Sequence, residues 1–75
     1  MSYRNPVLLA FGSNVRRWRE DLDLTQEKLA EKADLDQTYI SGVERGVRNP
    51  SVLSIVRIAK GLGTTASKLF LGVEG

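Results

Sequence analysis

Residues 24–46 read LTQEKLAEKADLDQTYISGVERG, and this stretch predicts two short helices joined by a tight turn. In its first half, Thr25 is a good N-cap, and Leu29 and Ala33 recur at the spacing of one helical face, which predicts a helix of about nine residues. Helices this short bury too little area to be stable alone. The other segments of the chain are therefore expected to form the platform that holds them.

The second half of the stretch contains another helix start. Asp36 is a suitable cap, Gln37 opens the helix, and Ile40 and Val43 lie at the i, i+3 spacing of an inward face. Gly46 then ends the helix, because glycine tolerates the left-handed conformation found after a helix C-terminus.

This ordered set resembles the helix-turn-helix family of phage repressors and Cro proteins, also called the xenobiotic-response-element family. The resemblance covers roughly residues 12–70. It rests on TQ at the start of the first motif helix, on the aliphatic Leu35, on YIS followed by Glu44 and Gly46, and on RNPS in the run VRNPSVLSIVRIAKGLG at residues 47–63.

The resemblance implies an all-α fold, in which a compact five-helix repressor-like DNA-binding domain carries its helix-turn-helix at about residues 25–45. Residues 1–75 are predicted to form one domain, with residues 1–5 as a flexible arm. The run DQTYISGVERGVRNPS, together with the lack of a sensor domain, resembles the controller proteins of restriction-modification systems.

Composition argues against catalysis and metal binding. The 75 residues include no cysteine and no histidine, so neither a thiolate site nor the commonest general base is available. Glu27 and Glu31 share a helical face, but Lys28 and Lys32 lie beside them and no third ligand is evident, which favours a solvated face. We therefore predict no enzyme activity, no metal and no cofactor.

No apolar run approaches the length needed to span a membrane, and no signal-peptide pattern stands at the N-terminus, so a soluble cytoplasmic protein without membrane partners is expected. The formal net charge is only +2, but the acidic residues concentrate at residues 20–36 and the basic residues dominate from Arg45 onward. This asymmetry predicts a basic surface beside the second motif helix.

A first helix is predicted to start at Asn5 as cap and Pro6 as first helical residue. One apolar stripe along it is expected to be core: Leu8, Phe11, Val15, Trp18 and Leu22. Gly12 inside the helix indicates close approach by a neighbouring helix. Asp23 stands where the family usually has glycine, so a left-handed aspartate is expected in the turn. The resemblance also implies a structural ion pair between Arg19 and Glu44.

In this architecture the second motif helix enters the major groove with its N-terminal residues at the base edges. Gln37 can pair with adenine, and Thr38 can offer a hydroxyl or pack its methyl on thymine. Ser41 and Gly42 are expected one turn later on the same side, where Gly42 would let the helix sit deeper in the groove. Gln26, at the N-terminus of the first motif helix, is predicted to contact a phosphate.

Other candidate DNA contacts keep two interpretations each. The Tyr39 hydroxyl reaches a phosphate or its ring serves packing. Arg45 contacts a guanine or phosphate, or its charge only interacts favourably with the dipole at the helix C-terminus. Arg48 and Asn49 lie in a loop suited to phosphate oxygens, with a solvated loop as the alternative.

Two further helices are expected after this loop. Ser51 or Asn49 caps a helix with a wide apolar face, and Thr65 caps the short TASKLF helix, whose Ala66, Leu69 and Phe70 close the core. Three apolar residues remain without an evident place inside and are predicted to form a homodimer interface: Leu53, Leu71 and Val73.

These features predict a sequence-specific DNA-binding transcriptional regulator that acts as a homodimer on an inverted-repeat operator in double-stranded DNA. The transcription machinery is a further candidate partner. The alternative is a protein-binding module of the same fold, such as an antitoxin or an adaptor. The short C-terminus argues against a toxin-wrapping tail, and the polar leading end of the second motif helix argues for DNA contact.

Overall fold

The computed structural model describes residues 5–74, so the predicted arm lies outside the described residues except for Asn5. Within this range the chain forms five helices and no strand, in agreement with the predicted all-α fold. The helices are α1 (Pro6–Asp21), α2 (Gln26–Ala33), α3 (Gln37–Glu44), α4 (Val52–Gly61) and α5 (Ala66–Leu69). None of the described helices is both long and apolar enough to cross a bilayer.

Each helix begins at a side-chain cap. Asn5 Oδ1 accepts hydrogen bonds from the backbone N–H groups of Val7 (2.9 Å) and Leu8 (3.2 Å), and Pro6 follows as the first helical residue. The side chains of Thr25, Asp36, Ser51 and Thr65 cap the other four helices. Ser51, and not Asn49, is therefore the cap of α4.

The core draws on every helix. Its buried hydrophobic residues form one cluster: Phe11, Val15, Leu29, Ala30, Ala33, Ile40, Val43, Ile58, Ala59, Leu62 and Leu69. A side chain the size of leucine or isoleucine contributes about 1.5–3 kcal/mol when it is removed fully from water. The short α2 and α3 are thus stabilised by burial against their neighbours rather than by helix propensity.

Two aspartates permit the tight turns around α2. Asp23 precedes this helix with φ 57°, and Asp34 ends it with φ 56°, so both adopt the left-handed conformation. After Asp34, the Leu35 N–H donates to the Ala30 carbonyl (2.9 Å), and the Leu35 side chain packs against the core. This turn fixes the angle between the two motif helices. The sequence predicted the conformation of Asp23 but not that of Asp34.

Gly12 allows α1 and α3 to pack closely. A Cβ atom at this position would lie 2.2 Å from the Val43 carbonyl oxygen and 2.7 Å from that of Glu44, both on the backbone of α3. The predicted close approach by a neighbouring helix is confirmed.

Two predictions about burial were wrong. Leu22 is 47% exposed instead of core, because α1 ends at Asp21 and the chain turns away at Leu22. Val73 is partly buried and packs against the core cluster instead of lying free for a partner. The reason is local: Gly72 has φ +76°, and the Val73 N–H donates to the Phe70 carbonyl (2.9 Å), which turns the chain back onto the core.

The ends of the predicted apolar stripes are also less buried than expected. Leu8 and Trp18 are only partly buried. Phe70 packs its ring on Phe11, with 4.9 Å between centroids, yet remains 42% exposed. Leu53 and Leu71 are 72% and 71% exposed, so two of the three residues predicted for the dimer interface are accessible.

Candidate nucleic-acid interface

The leading end of α3 is polar and accessible. Gln37 and Thr38 are both exposed, and the Asp36 carboxylate accepts the Thr38 N–H at 2.8 Å. The cap therefore fixes the backbone from which these two side chains project. Ser41, one turn later, is partly buried.

The far end of α3 is held by a buried ion pair. Arg19 Nε donates to Glu44 Oε2 at 2.7 Å, and Arg19 Nη2 donates to Glu44 Oε1 at 3.1 Å, which is bidentate geometry. The third Arg19 nitrogen, Nη1, donates to the Leu24 carbonyl at 2.7 Å. The side chains are 12% and 2% exposed. The hydrogen bond to the Glu44 carboxylate raises the pKa of Arg19 above its ordinary value, with burial opposing this shift.

Gln26 joins this network. Its side-chain amide nitrogen donates to Glu44 Oε1 at 3.0 Å, so α1, α2 and α3 meet at one carboxylate. Sequence reasoning missed this contact and predicted only that Gln26 contacts a DNA phosphate. The side-chain N–H that bonds Glu44 is not free for DNA in this arrangement. The Thr25 hydroxyl accepts the Lys28 N–H at 3.0 Å, and the backbone N–H groups that precede Lys28 in α2 lack intrahelical partners, as at any helix N-terminus.

Tyr39 and Arg48 form a cation–π pair beside α3. The Arg48 guanidinium carbon lies 5.7 Å from the centroid of the Tyr39 ring, within cation–π range. Tyr39 is partly buried against the core, so its ring does serve packing. Sequence reasoning missed this pair, although an aromatic residue on α3 and an arginine just after the Gly46 turn were the available signal.

The expectation for Gly42 was wrong. Gly42 is buried and faces the Arg48 side chain instead of an open groove-facing surface. A Cβ atom at Gly42 would lie 2.5 Å from Arg48 Cγ. The glycine therefore makes room for an arginine of the same chain.

The charges around α3 favour an anionic partner. Arg45, Arg48 and Asn49 are exposed, and no described carboxylate lies within salt-bridge distance of either arginine. The Glu44 charge on the same helix is already paired with Arg19. Asp36 is the acid at the leading end of α3, and it caps the helix N-terminus.

The acidic residues of α2 lie elsewhere and act as a solvated face. Lys28 Nζ contacts Glu31 Oε1 at 2.8 Å, and this hydrogen bond raises the pKa of Lys28 and lowers that of Glu31. Among the described residues, no group of three or more acidic, cysteine or histidine side chains is arranged to hold a metal ion.

Comparison with known proteins identifies the family of this chain. The helix-turn-helix family model matches residues 15–69. Control protein C.MunI from Mycoplasma sp is 42% identical over 71 residues, which cover 93% of this chain and 96% of that protein. Control protein C.BamHI from Bacillus amyloliquefaciens is 46% identical over 66 residues, covering 87% and 82%.

Solved structures show the same likeness. The restriction-modification controller protein C.AhdI from Aeromonas hydrophila superposes with a TM-score of 0.83 at 41% identity, covering 84% of this chain and 96% of that one. The wild-type restriction-modification controller protein C.Esp1396I superposes with a TM-score of 0.84 at 36% identity, covering 93% and 92%. This chain therefore belongs to the helix-turn-helix family of DNA-binding transcriptional regulators, and it is similar over nearly its whole length to control proteins.

Proposed function

We propose that this protein is the controller of a restriction-modification system and binds an inverted-repeat operator as a homodimer. The observation that carries the proposal is the exposed leading end of α3, which Asp36 caps. The buried Arg19–Glu44 ion pair holds the opposite end of this helix. Similarity to controller proteins over nearly the whole chain supports the restriction-modification role.

Base reading is assigned to the first turn of α3. Gln37 can donate and accept at the N6 and N7 edge of adenine, and Thr38 can bond a base or pack its methyl on thymine. Ser41 lies one turn further along and would add a contact only at close approach. Because the Asp36 cap and the ion pair fix both ends of the helix, these side chains meet the groove with a defined register.

Backbone contacts are assigned to the surroundings of α3. The start of α2 at Gln26 offers free N–H groups to a phosphate. Arg45, Arg48 and Asn49 are exposed beside α3, the proposed recognition helix. The Tyr39 hydroxyl is a further candidate for this role. Such contacts position the protein on the duplex, whereas the base contacts select the sequence.

A dimer is proposed because one α3 reads too few base pairs to select a genomic site. Two-fold pairing places two recognition helices about one helical turn apart, which matches an inverted repeat. Leu53 and Leu71 are the exposed leucines assigned to the contact between copies. Occupancy of a promoter operator would bring the dimer to the transcription machinery.

The test is selection of bound duplexes from a random pool, followed by titration of the winning sequence at increasing salt. Recovery of an inverted repeat, with affinity that falls steeply as salt rises, is the expected result. Linkage of that repeat to the promoters of the restriction and modification genes is then checked in a reporter strain. A folded protein that selects no shared sequence would overturn the proposal in favour of a protein-binding module.

A further inference from the structure

The loop after α3 is tied to one glycine. The backbone N–H groups of Val47 and Arg48 both donate to the Gly42 carbonyl, at 3.0 Å and 3.2 Å. Gly46, with φ +76°, makes the turn that allows this. The Cα of Arg48 therefore has a fixed position relative to the recognition helix.

The Arg48 side chain then runs across the space that a side chain at position 42 would occupy. A Cβ atom at Gly42 would lie 2.5 Å from Arg48 Cγ, 3.4 Å from Nε and 3.5 Å from Cβ. At its far end the guanidinium carbon lies 5.7 Å from the centroid of the Tyr39 ring. Gly42 and Tyr39 together thus form a cradle along one arginine.

The cradle leaves the binding capacity of the arginine free. The Tyr39 contact is a cation–π approach of the guanidinium carbon at 5.7 Å, and it engages none of the five N–H donors of the arginine in a hydrogen bond. None of the side-chain hydrogen bonds or ion pairs among residues 5–74 uses the Arg48 guanidinium. An exposed arginine that is held in place but unpaired is suited to a bidentate contact with a phosphate.

We propose that Gly42 and Tyr39 are positioning residues that hold the Arg48 guanidinium ready for a phosphate of the operator backbone. This inference rests on the proposed DNA-binding function and assigns a new role to Gly42. Holding the side chain before binding reduces the ordering cost that a free arginine would incur on the DNA. The rival role for Gly42, direct close approach to DNA, conflicts with its burial under Arg48.

The first test needs no DNA. In the free wild-type protein, the Arg48 side-chain protons are expected to show upfield NMR shifts from the Tyr39 ring. These shifts should remain in Tyr39→Phe and vanish in Tyr39→Leu and Gly42→Ala. Wild-type shifts at random-coil values would overturn the cradle without touching the proposed DNA-binding function.

The second test measures affinity for the selected operator. Gly42→Ala should weaken binding about two- to tenfold, the range that corresponds to ordering one long side chain. In an Arg48→Ala background the same change should have no effect, because only the Cβ contact at an ordinary 3.5 Å remains. Independent effects of the two substitutions would overturn the inference, as would wild-type affinity in Gly42→Ala.

The kind of DNA contact is tested with the same proteins. Arg48→Ala should weaken binding to the selected operator and to unrelated duplexes by the same factor. It should also lower the magnitude of the slope of log affinity against log salt by about 0.9, the value for one phosphate. A loss confined to the selected operator would identify a base contact and overturn the phosphate assignment. Arg17→Ala is the matched control for charge, since Arg17 lies beside Trp18 and Lys68 on the α1–α5 side.

Folding is controlled separately. Alanine is the better helix former, and exposed Arg48 can rotate away, so Gly42→Ala should unfold at or above the wild-type temperature. If that variant does not fold, the operator affinities of Tyr39→Leu and Tyr39→Phe are compared instead. Only Tyr39→Leu removes the aromatic ring, so only this variant should bind more weakly through loss of the cradle. Equal operator affinity of these two variants would overturn the inference, and a wild-type protein that selects no duplex would remove both this inference and the proposed function.

Discussion

Arg19 and Glu44 join the first helix to the last turn of the recognition helix through two hydrogen bonds of 2.7 Å and 3.1 Å. The Glu44 side chain is 2% exposed, and its carboxylate also accepts a bond from Gln26. The packing of α1, α2 and α3 at this point therefore depends on one buried carboxylate. The cost of desolvating such a pair is recovered only while both partners are present.

Glu44→Gln should lower the free energy of unfolding by about 2–4 kcal/mol, because it leaves the Arg19 guanidinium without its buried, bidentate counter-charge and with only the half-exposed Glu20 carboxylate at 4.0 Å. Urea unfolding at fixed protein concentration measures this loss. The exposed pair provides the control: Glu31→Gln breaks a 2.8 Å contact to Lys28 at the surface and should cause no measurable change. Equal stability losses in the two variants would refute the special role of burial.

The double variant Arg19→Met/Glu44→Leu separates pairing from packing. Removal of both charges leaves no unpaired ion, so this protein should be more stable than Glu44→Gln. A double variant less stable than the single one would mean that the hydrogen bond from Arg19 to the Leu24 carbonyl, and not the ion pair, dominates.

Gly12→Ala should destabilise the protein although alanine normally favours a helix by about 1 kcal/mol. The new Cβ would meet two carbonyl oxygens of α3 at 2.2 Å and 2.7 Å, and backbone cannot move aside as a side chain can. Overpacking of this kind costs about 1–3 kcal/mol. Ser13→Ala at the next, exposed position is the control and should be neutral or stabilising in thermal unfolding.

The sequence predicted helix starts well because a cap and its helix are neighbours in the chain. Thr25, Asp36 and Thr65 all cap as expected, and the α4 cap is one of two residues considered. Helical periodicity also identified the central core residues of α1. It failed at Leu22, because the stripe continues in the sequence after the helix has ended.

The candidate site was less predictable where it depends on contacts across a turn. Gln37 and Thr38 follow directly from the Asp36 cap, so their exposure was expected. The cation–π contact of Arg48 with Tyr39 depends on the Gly46 turn and on two hydrogen bonds to the Gly42 carbonyl. No local pattern specifies such a return of the chain, and Gly42 was therefore assigned to the wrong surface.

Gln37→Ala should weaken binding to the selected operator by about 1–3 kcal/mol, the value of a lost bidentate pair with one base. The fold should be unaffected, because Gln37 is exposed and the Asp36 cap bonds the Thr38 backbone. Anisotropy titrations against the operator and against a scrambled duplex measure the effect. Unchanged operator affinity, or an equal loss on both duplexes, would show that Gln37 does not read a base.

Leu53→Asp should convert the proposed dimer to a monomer, because a charge replaces a leucine that is 72% exposed and is assigned to the contact between copies. Sedimentation equilibrium measures the mass, and the monomer should also bind the inverted repeat more weakly because it loses the gain from two linked half-sites.

Leu22→Asp, at an apolar position 47% exposed after α1, should remain dimeric. Val73→Ala should lower stability without changing the mass, since Val73 packs on its own core. A dimeric Leu53→Asp protein would move the interface away from α4.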